Sequence, residues 1–275
     1  MTTRFIIRMG IIVFLAFFAL LATYPIFYMA TGSLKSTFEY LRNPLSLPND
    51  FTNFSNYRSL WVRYDIPQLF LNTIFYIALS SALSMTVSIP AAWAIAKMQF
   101  PFRSLLRFML IGTLIIPVIT YIVPAYVLMA DIGFVDSYKS VVLIWAATSV
   151  PGNVFLLSSL MRAIPNEITE SARLDGAGYF QMMFRIIIPL SLPGLITVSI
   201  FNVTGWWNDL LVPLVFLQSN SQMTVTVGMA TIVGRLSTNY PLLLAGLFTA
   251  SIPPMLAYIL LQRLIRQGLV LGSLK

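Results

Sequence analysis

The chain contains no cysteine and no histidine. The first absence excludes disulfides, thiolate catalysis and cysteine metal sites. The second removes the commonest general base and metal ligand. Acidic residues are scarce too, 9 of 275, and all charged residues together make up 9% of the chain. Soluble domains carry about 25%, so a soluble surface cannot be assembled from this inventory. The Gly-x-x-x-x-Gly-Lys-Ser/Thr phosphate loop, His-Glu-x-x-His and Gly-x-Ser-x-Gly are all missing, which leaves any nucleotide chemistry to another chain. No internal duplication is visible.

What the chain has is apolar length. Hydrophobic residues make up 58%, gathered into six runs at about 9–32, 70–96, 105–129, 140–160, 187–216 and 242–262. Each reaches or exceeds the ~20 residues that cross a hydrocarbon core. An all-α integral membrane protein, one domain of six transmembrane helices over residues 1–275, is the expected fold. The fifth run is overlong and is expected to include an interfacial turn where the chain enters the membrane. Arg4 and Arg8 precede the first run as they would in a signal peptide. The run is longer than a usual signal core, however, and "LLATYPIFYMATGS" offers no small-residue cleavage site, so a retained first helix is expected.

With the N-terminus cytoplasmic, the inner segments hold Arg4, Arg8, Lys97, Arg103, Arg107, Arg162, Arg173, Arg185, Arg263, Arg266 and Lys275. The longer outer ones hold only Lys35, Arg42, Arg58, Arg63, Lys139 and Arg235. The positive-inside rule thus puts both termini in the cytoplasm. The net charge of +8 reads as an orientation signal with lipid headgroups as its counterpart, not as nucleic-acid binding.

Within the spans, Ser80, Ser84, Ser88, Ala92 and Ala96 recur every four residues, a ridge of small side chains suited to close helix packing in lipid. Prolines recur inside spans or at their ends (Pro25, Pro90, Pro117, Pro124, Pro151, Pro189, Pro193, Pro213, Pro253 and Pro254), so kinked helices are expected. The outer stretch at 33–68, rich in Pro, Asn and Ser, predicts turns and a short interfacial helix near Phe54–Trp61.

Three of the nine acids, Glu167, Glu170 and Asp175, fall within nine positions in the loop at about 161–186. Pro165 suits a helix start, Asn166 or a polar neighbour can cap it, and Glu167 and Glu170 complement the dipole of its first turns. Asp175-Gly176 signals a turn. Gly178 can cap a second helix whose apolar face is expected to carry Phe180, Met183 and Phe184. The expectation is a helix–turn–helix knob with an acidic end and an apolar face, built for a groove on a partner; the other reading of the second helix is that it lies on the membrane surface.

The stretch "ESARLDGAGYFQMMFRIIIP" resembles the cytoplasmic signature of the membrane subunits of binding-protein-dependent ABC importers: Glu-Ala-Ala, three residues, Gly, nine residues, Ile-x-Leu-Pro. Here it reads Glu170-Ser171-Ala172, Gly176 and Ile186-Ile187-Ile188-Pro189, with every spacing kept. Ser171 stands for an Ala, Ile188 for a Leu, and Gly178 where Ser or Thr is frequent. "SLKSTFEYLRNP", "FLNTIFYIALSS", "AAWAIAKMQFPFR", "WWNDLLVPLVFL" and "QRLIRQGLVLGSLK" extend the resemblance over nearly the whole chain, to the smaller permease of maltose-transporter-type carbohydrate importers.

The resemblance implies a type I ABC importer permease in the cytoplasmic membrane of a bacterium or archaeon. It would work with a second permease, two ATPase subunits and an extracytoplasmic solute-binding protein. The chain itself would bind no cofactor, ATP and Mg residing on the ATPases. The loop would be the coupling helix: Glu170 paired with a basic group of the ATPase, Ser171 and Ala172 packed against its cleft, Asp175 fixing the turn, Gly176 permitting it, and Ile186 and Pro189 closing the signature. The C-terminal tail would also reach towards the ATPases.

Polar residues inside spans are functional candidates. Asn202, Thr204, Asn208 and Asp209, with Trp206 and Trp207 between them, offer hydrogen bonds beside aromatic faces, as a sugar path would need. An interfacial aromatic belt with a structural Asp is the alternative. Tyr76 and Tyr121 are further candidates. The rival to an ATP-driven permease is a self-sufficient secondary transporter or channel, which would need coupling carboxylates in mid-span, and only Asp209 is near. A membrane-embedded enzyme lacks the His, Cys and paired carboxylates it would use.

Overall fold

A computed structural model describes the backbone of residues 2–235 and 239–273, and the side chains of 5–231, 239–260 and 262. The described elements are all helical: α1 (Thr2–Gly32), α2 (Thr37–Arg42), α3 (Ser55–Arg63), α4 (Ile66–Lys97), α5 (Arg103–Thr113), α6 (Val118–Asp131), α7 (Tyr138–Arg162), α8 (Asn166–Leu174), α9 (Tyr179–Met182), α10 (Ile188–Asn208), α11 (Leu211–Phe216), α12 (Val225–Arg235) and α13 (Tyr240–Ser273). A π-helical turn, Met183–Ile187, joins α9 to α10. Among the described residues, five stretches are long and apolar enough to cross a membrane: Phe5–Gly32, Ile66–Lys97, Tyr138–Arg162, Tyr179–Asn208 and Tyr240–Leu260. The sixth is the pair α5 and α6, bent by 98°.

The expected span at 105–129 is thus a broken one, bent far more sharply than a proline kink. Leu114, Ile115 and Ile116 each donate back only three residues, tightening the end of α5. Pro117 then takes an extended ψ of 143°, having no N–H with which to continue the helix. The overlong fifth run is resolved differently from expectation. Its entrance is continuous helix through the π turn, and the surplus lies beyond Asn208. There the backbone of Asp209 turns extended, with ψ 119°, and the chain restarts as α11. The expected interfacial helix is α3, whereas α2 and α12 were not foreseen. The backbone of the C-terminal tail is helical to Ser273, and the side chains of 267–275 lie outside the described residues.

The chain divides into two compact units. One comprises residues 1–67 and 228–253. Within it, Lys35 is fully buried, and its Nζ donates to the carbonyls of Asn43 (3.1 Å) and Pro44 (3.0 Å) and to Ser46 Oγ (3.1 Å). Three donors meet three acceptors, which a buried ammonium requires. Asn56 Nδ2 donates to the carbonyls of Ser33 and Lys35, so one asparagine and one lysine hold the turns on either side of α2.

The other unit comprises 68–227 and 254–275. Here the expected ridge of α4 is a buried face: Ser80, Ser84, Ser88 and Ala92 are wholly inaccessible. Ser84 Oγ bonds Ser149 Oγ of α7 at 2.7 Å and accepts from Asn153 Nδ2 at 2.7 Å. Asn202 Nδ2 of α10 in turn donates to Asn153 Oδ1 at 3.0 Å. Three helices are thereby joined by polar side chains that satisfy one another. Helices α7 and α10 also pack closely at Gly194, where an added Cβ would collide with Leu160 Cδ1 and lie 3.5 Å from its Cγ.

Overpacking of this kind costs about 1–3 kcal/mol. Gly194→Val is therefore expected to lower the apparent melting temperature of the detergent-solubilised protein. Leu160→Ala in the same chain should recover part of the loss, and absence of recovery would place the cost elsewhere.

Candidate functional site

The chain from Ala163 to Ile187 folds into the expected knob. Pro165, with ψ 141°, occupies the N-cap position of α8 and offers no side-chain cap. Asn166, expected to cap, is used otherwise: its Oδ1 accepts from Lys97 Nζ at 2.8 Å. The same ammonium donates to the carbonyl of Ile164. Glu167 lies in the first turn of α8, where its charge complements the helix dipole.

The turn expected at Asp175-Gly176 closes α8 as a Schellman motif. Gly176 N–H donates to the Arg173 carbonyl at 3.0 Å, and Ala177 N–H to the Ala172 carbonyl at 2.9 Å. The motif needs a left-handed residue, and Gly176 supplies it with φ +80°. Gly178 takes the cap position before α9.

The knob has two sides. Ala172, Met182, Met183 and Ile187 are buried with Ala92, Trp93, Ile95 and Ala96 of α4, Val154, Leu157 and Met161 of α7, and Leu195 and Val198 of α10. Of the expected apolar face of Phe180, Met183 and Phe184, only Met183 turns into this core. The π turn places Met182 and Ile187, five residues apart, on the inner face with Met183, while Phe180 and Phe184 point outwards, 76% and 61% exposed. Ala172, expected against a partner cleft, is instead turned into the chain's own core.

Glu170, Ser171, Arg173, Leu174, Asp175 and Gly176 are exposed, Ile186 is half-buried and Pro189 exposed at the start of α10. The Arg173 guanidinium lies 5.7 Å over the Tyr179 ring, which packs edge-on to Trp93 at 6.1 Å. The knob therefore presents a small polar tip with two carboxylates, rimmed by apolar side chains, on a base fixed to three helices.

The residues selected for a solute path lie along the last two turns of α10 and its C-cap, and each carries a bond or contact within the fold. Asp209 is engaged on both oxygens: Trp145 Nε1 donates to Oδ2 at 2.6 Å, and the Leu211 amide to Oδ1 at 2.9 Å. Trp206 is buried and stacks on Trp145 at 5.8 Å. Asn202 belongs to the Asn153 network. Thr204 Oγ1 and Asn208 Nδ2 bond the Ile200 and Thr204 carbonyls within α10, although both residues are exposed. Tyr76 Oη donates to Gln222, and Tyr121 bonds Thr148. Sequence reasoning missed Lys97, Trp145 and Asn153. Lys97 was read only as an orientation charge, and Asn153 was as legible a polar residue in a span as Asn202. Among the described residues no cluster of acidic side chains fit for a metal occurs.

A multi-pass helical body with a helix–turn–helix knob built on a spaced signature defines a membrane transport component. Residues 69–269 match the family described as binding-protein-dependent transport system inner membrane component, and the chain belongs to it. It is 30% identical to the diacetylchitobiose uptake system permease protein NgcG of Streptomyces coelicolor, over 91% of this chain and 83% of that protein. It is 32% identical to the melibiose/raffinose/stachyose import permease protein MelC of Bacillus subtilis, over 91% of each. Its fold matches, with a TM-score of 0.83 and 24% identity, a chain in the crystal structure of a bacterial ABC transporter involved in the import of the acidic polysaccharide alginate, over 94% of this chain and 96% of that one. Like its family, this chain is a non-enzymatic permease subunit.

Asp209 accepts on both oxygens, whereas asparagine has one acceptor and would turn an amide donor towards either the indole or the backbone N–H. An unsatisfied buried donor costs about 1–3 kcal/mol. Asp209→Asn is expected to lower thermal stability while leaving the KM of uptake by the folded fraction unchanged. A raised KM at unchanged stability would return Asp209 to the solute path.

Proposed function

We propose that this chain is one of the two permease subunits of an ATP-driven importer for a carbohydrate delivered by an extracytoplasmic binding protein. In this reading, the α8 knob receives the movement of the ATPase subunits, which carry the ATP and Mg. The observation that carries it is the division of the knob. Its inner side is welded into α4, α7 and α10, while Glu170, Ser171 and Asp175 are offered outwards. A push on the tip is thereby delivered to three membrane helices at once. Relatives named for diacetylchitobiose and for melibiose, raffinose and stachyose uptake support a carbohydrate cargo. The knob and both termini are cytoplasmic, on the bias of lysine and arginine among the loops. A secondary transporter would need a free coupling carboxylate in mid-span, and Asp209 is already occupied by Trp145.

Two substitutions test the coupling. Glu170→Lys reverses a charge at the tip, where one charge-assisted hydrogen bond is worth about 1.5–3 kcal/mol. Gly176→Pro removes the N–H that bonds Arg173 and forbids φ +80°. Both are expected to abolish uptake in proteoliposomes and to weaken co-purification of a Walker-motif ATPase, with membrane insertion retained. Normal uptake in both variants, or uptake by the protein alone without ATP, would overturn the assignment.

A further inference from the structure

Lys97 is the last residue of α4, and the sequence signature does not include it. Its ammonium reaches across to the link between α7 and α8, donating to the Ile164 carbonyl and to Asn166 Oδ1. Pro165 follows Ile164 directly, so the knob begins at a point where the backbone has left one helix and not yet entered the next. Arg103 holds the same end of α4 from the other side, with Nε on the Ile95 carbonyl at 2.9 Å and Nη2 on that of Ala96 at 3.2 Å. One turn back, Trp93 meets Tyr179 at the start of α9. The end of α4 therefore grips the knob at two places, Lys97 at the start of α8 and Trp93 at the start of α9.

The far end of α4 is gripped in a similar way. Asn72 Nδ2 donates to the Ser221 and Met223 carbonyls at 2.8 and 3.0 Å, and Thr73 Oγ1 accepts from the Val225 amide at 2.9 Å. Between the ends, Ser84 joins α7 through Asn153. A helix of 32 residues, about 48 Å long, is thus attached through side-chain-to-backbone bonds to the knob and to the loop that precedes α12.

We infer that Lys97 is the positioning residue of the coupling machinery, pinning the start of the knob to α4 so that displacement of the knob is passed into that helix. This rests on the coupling role proposed above. The ammonium touches neither solute nor nucleotide, and its action is to keep knob and helix moving together. A lysine suits the task because it combines a long stem with several donors that reach a carbonyl and an amide oxygen at once.

The test uses the complete importer, reconstituted with its ATPases and loaded binding protein, and measures solute moved per ATP hydrolysed. Lys97→Met keeps the length of the stem and removes the donors. The expected result is an assembled complex that hydrolyses ATP at more than half the normal rate but moves about tenfold less solute per ATP, with Lys97→Arg restoring most of the ratio. Asn166→Ala, which removes one acceptor on the exposed side, should lower the ratio in the same direction by about threefold. It should add nothing to Lys97→Met, and it remains informative if the methionine variant does not fold. An unchanged ratio in Asn166→Ala together with an unchanged ratio or a failed assembly in Lys97→Met overturns the inference. So does an arginine variant no better than methionine. Glu170→Lys in the same preparation separates the two readings: if it transports normally, the coupling role of the knob is lost; if it alone fails, only the pin is.

Discussion

Every break in a helix frees backbone N–H and C=O groups, and a chain with so little polar surface must cover them from its own side chains. In this protein that requirement selects where the few polar residues stand. Lys35 and Asn56 cover carbonyls of the stretch after α1. Asn72 and Thr73 cover the stretch before α12, Asp209 the start of α11, and Lys97 the start of the knob. Asp136, itself at φ +57°, accepts from the Gln218 and Ser219 amides at 2.8 Å each. The Ser219 hydroxyl and amide, with the Gln218 amide, hold the Asp136 carboxyl below the usual aspartate range. Apolar burial assembles the spans, and these bonds fix the irregular pieces between them.

The same economy separates what was legible in the sequence from what was not. Spans are legible because apolar length is a one-dimensional property, and α1, α4, α7, α10 and α13 fall on the expected runs. The ridge of α4 was legible because a four-residue spacing maps directly onto one helical face. The break between α5 and α6 was signalled by Pro117, but a proline says that a helix is disturbed, not whether it tilts slightly or turns by 98°. For α2 the signal was present and unread: Ser36 and Glu39 have capping-box spacing, and Ser36 Oγ accepts from the Glu39 amide. The inner face of the second knob helix went unread because the π turn changes the period, and no local propensity announces a π turn.

The solute-path candidates were harder to read for a more general reason. A polar residue in an apolar run is exceptional for either of two causes, contact with a cargo or repair of the fold, and sequence alone weighs both alike. Asp209 with Trp145, and Asn202 with Asn153, carry bonds of the second kind: each has a partner more than forty residues away in the chain, which one-dimensional spacing cannot reveal. The knob was easier because its acids lie outside the spans. There the scarcity of acids itself made a cluster of three informative.

Scarcity also bears on how a subunit of this kind can transmit force. A flexible connector dissipates a displacement, whereas a piece whose backbone is tied at both ends carries it. The knob contains two short helices and a tight turn, too little structure to be stiff alone, since isolated helices of this length are marginal. What holds it here is that its inner residues belong to the packed core of α4, α7 and α10 and that its first residues are bonded to Lys97. What the tip presents to a partner can therefore be small and polar, as Glu170, Ser171 and Asp175 are, without the contact having to build the rigidity as well. Ala172, Met182, Met183 and Ile187 are taken up by that inner packing, which is why Ala172 lies in the core although it sits within the signature, while Leu174, Phe180 and Phe184 are left facing outwards.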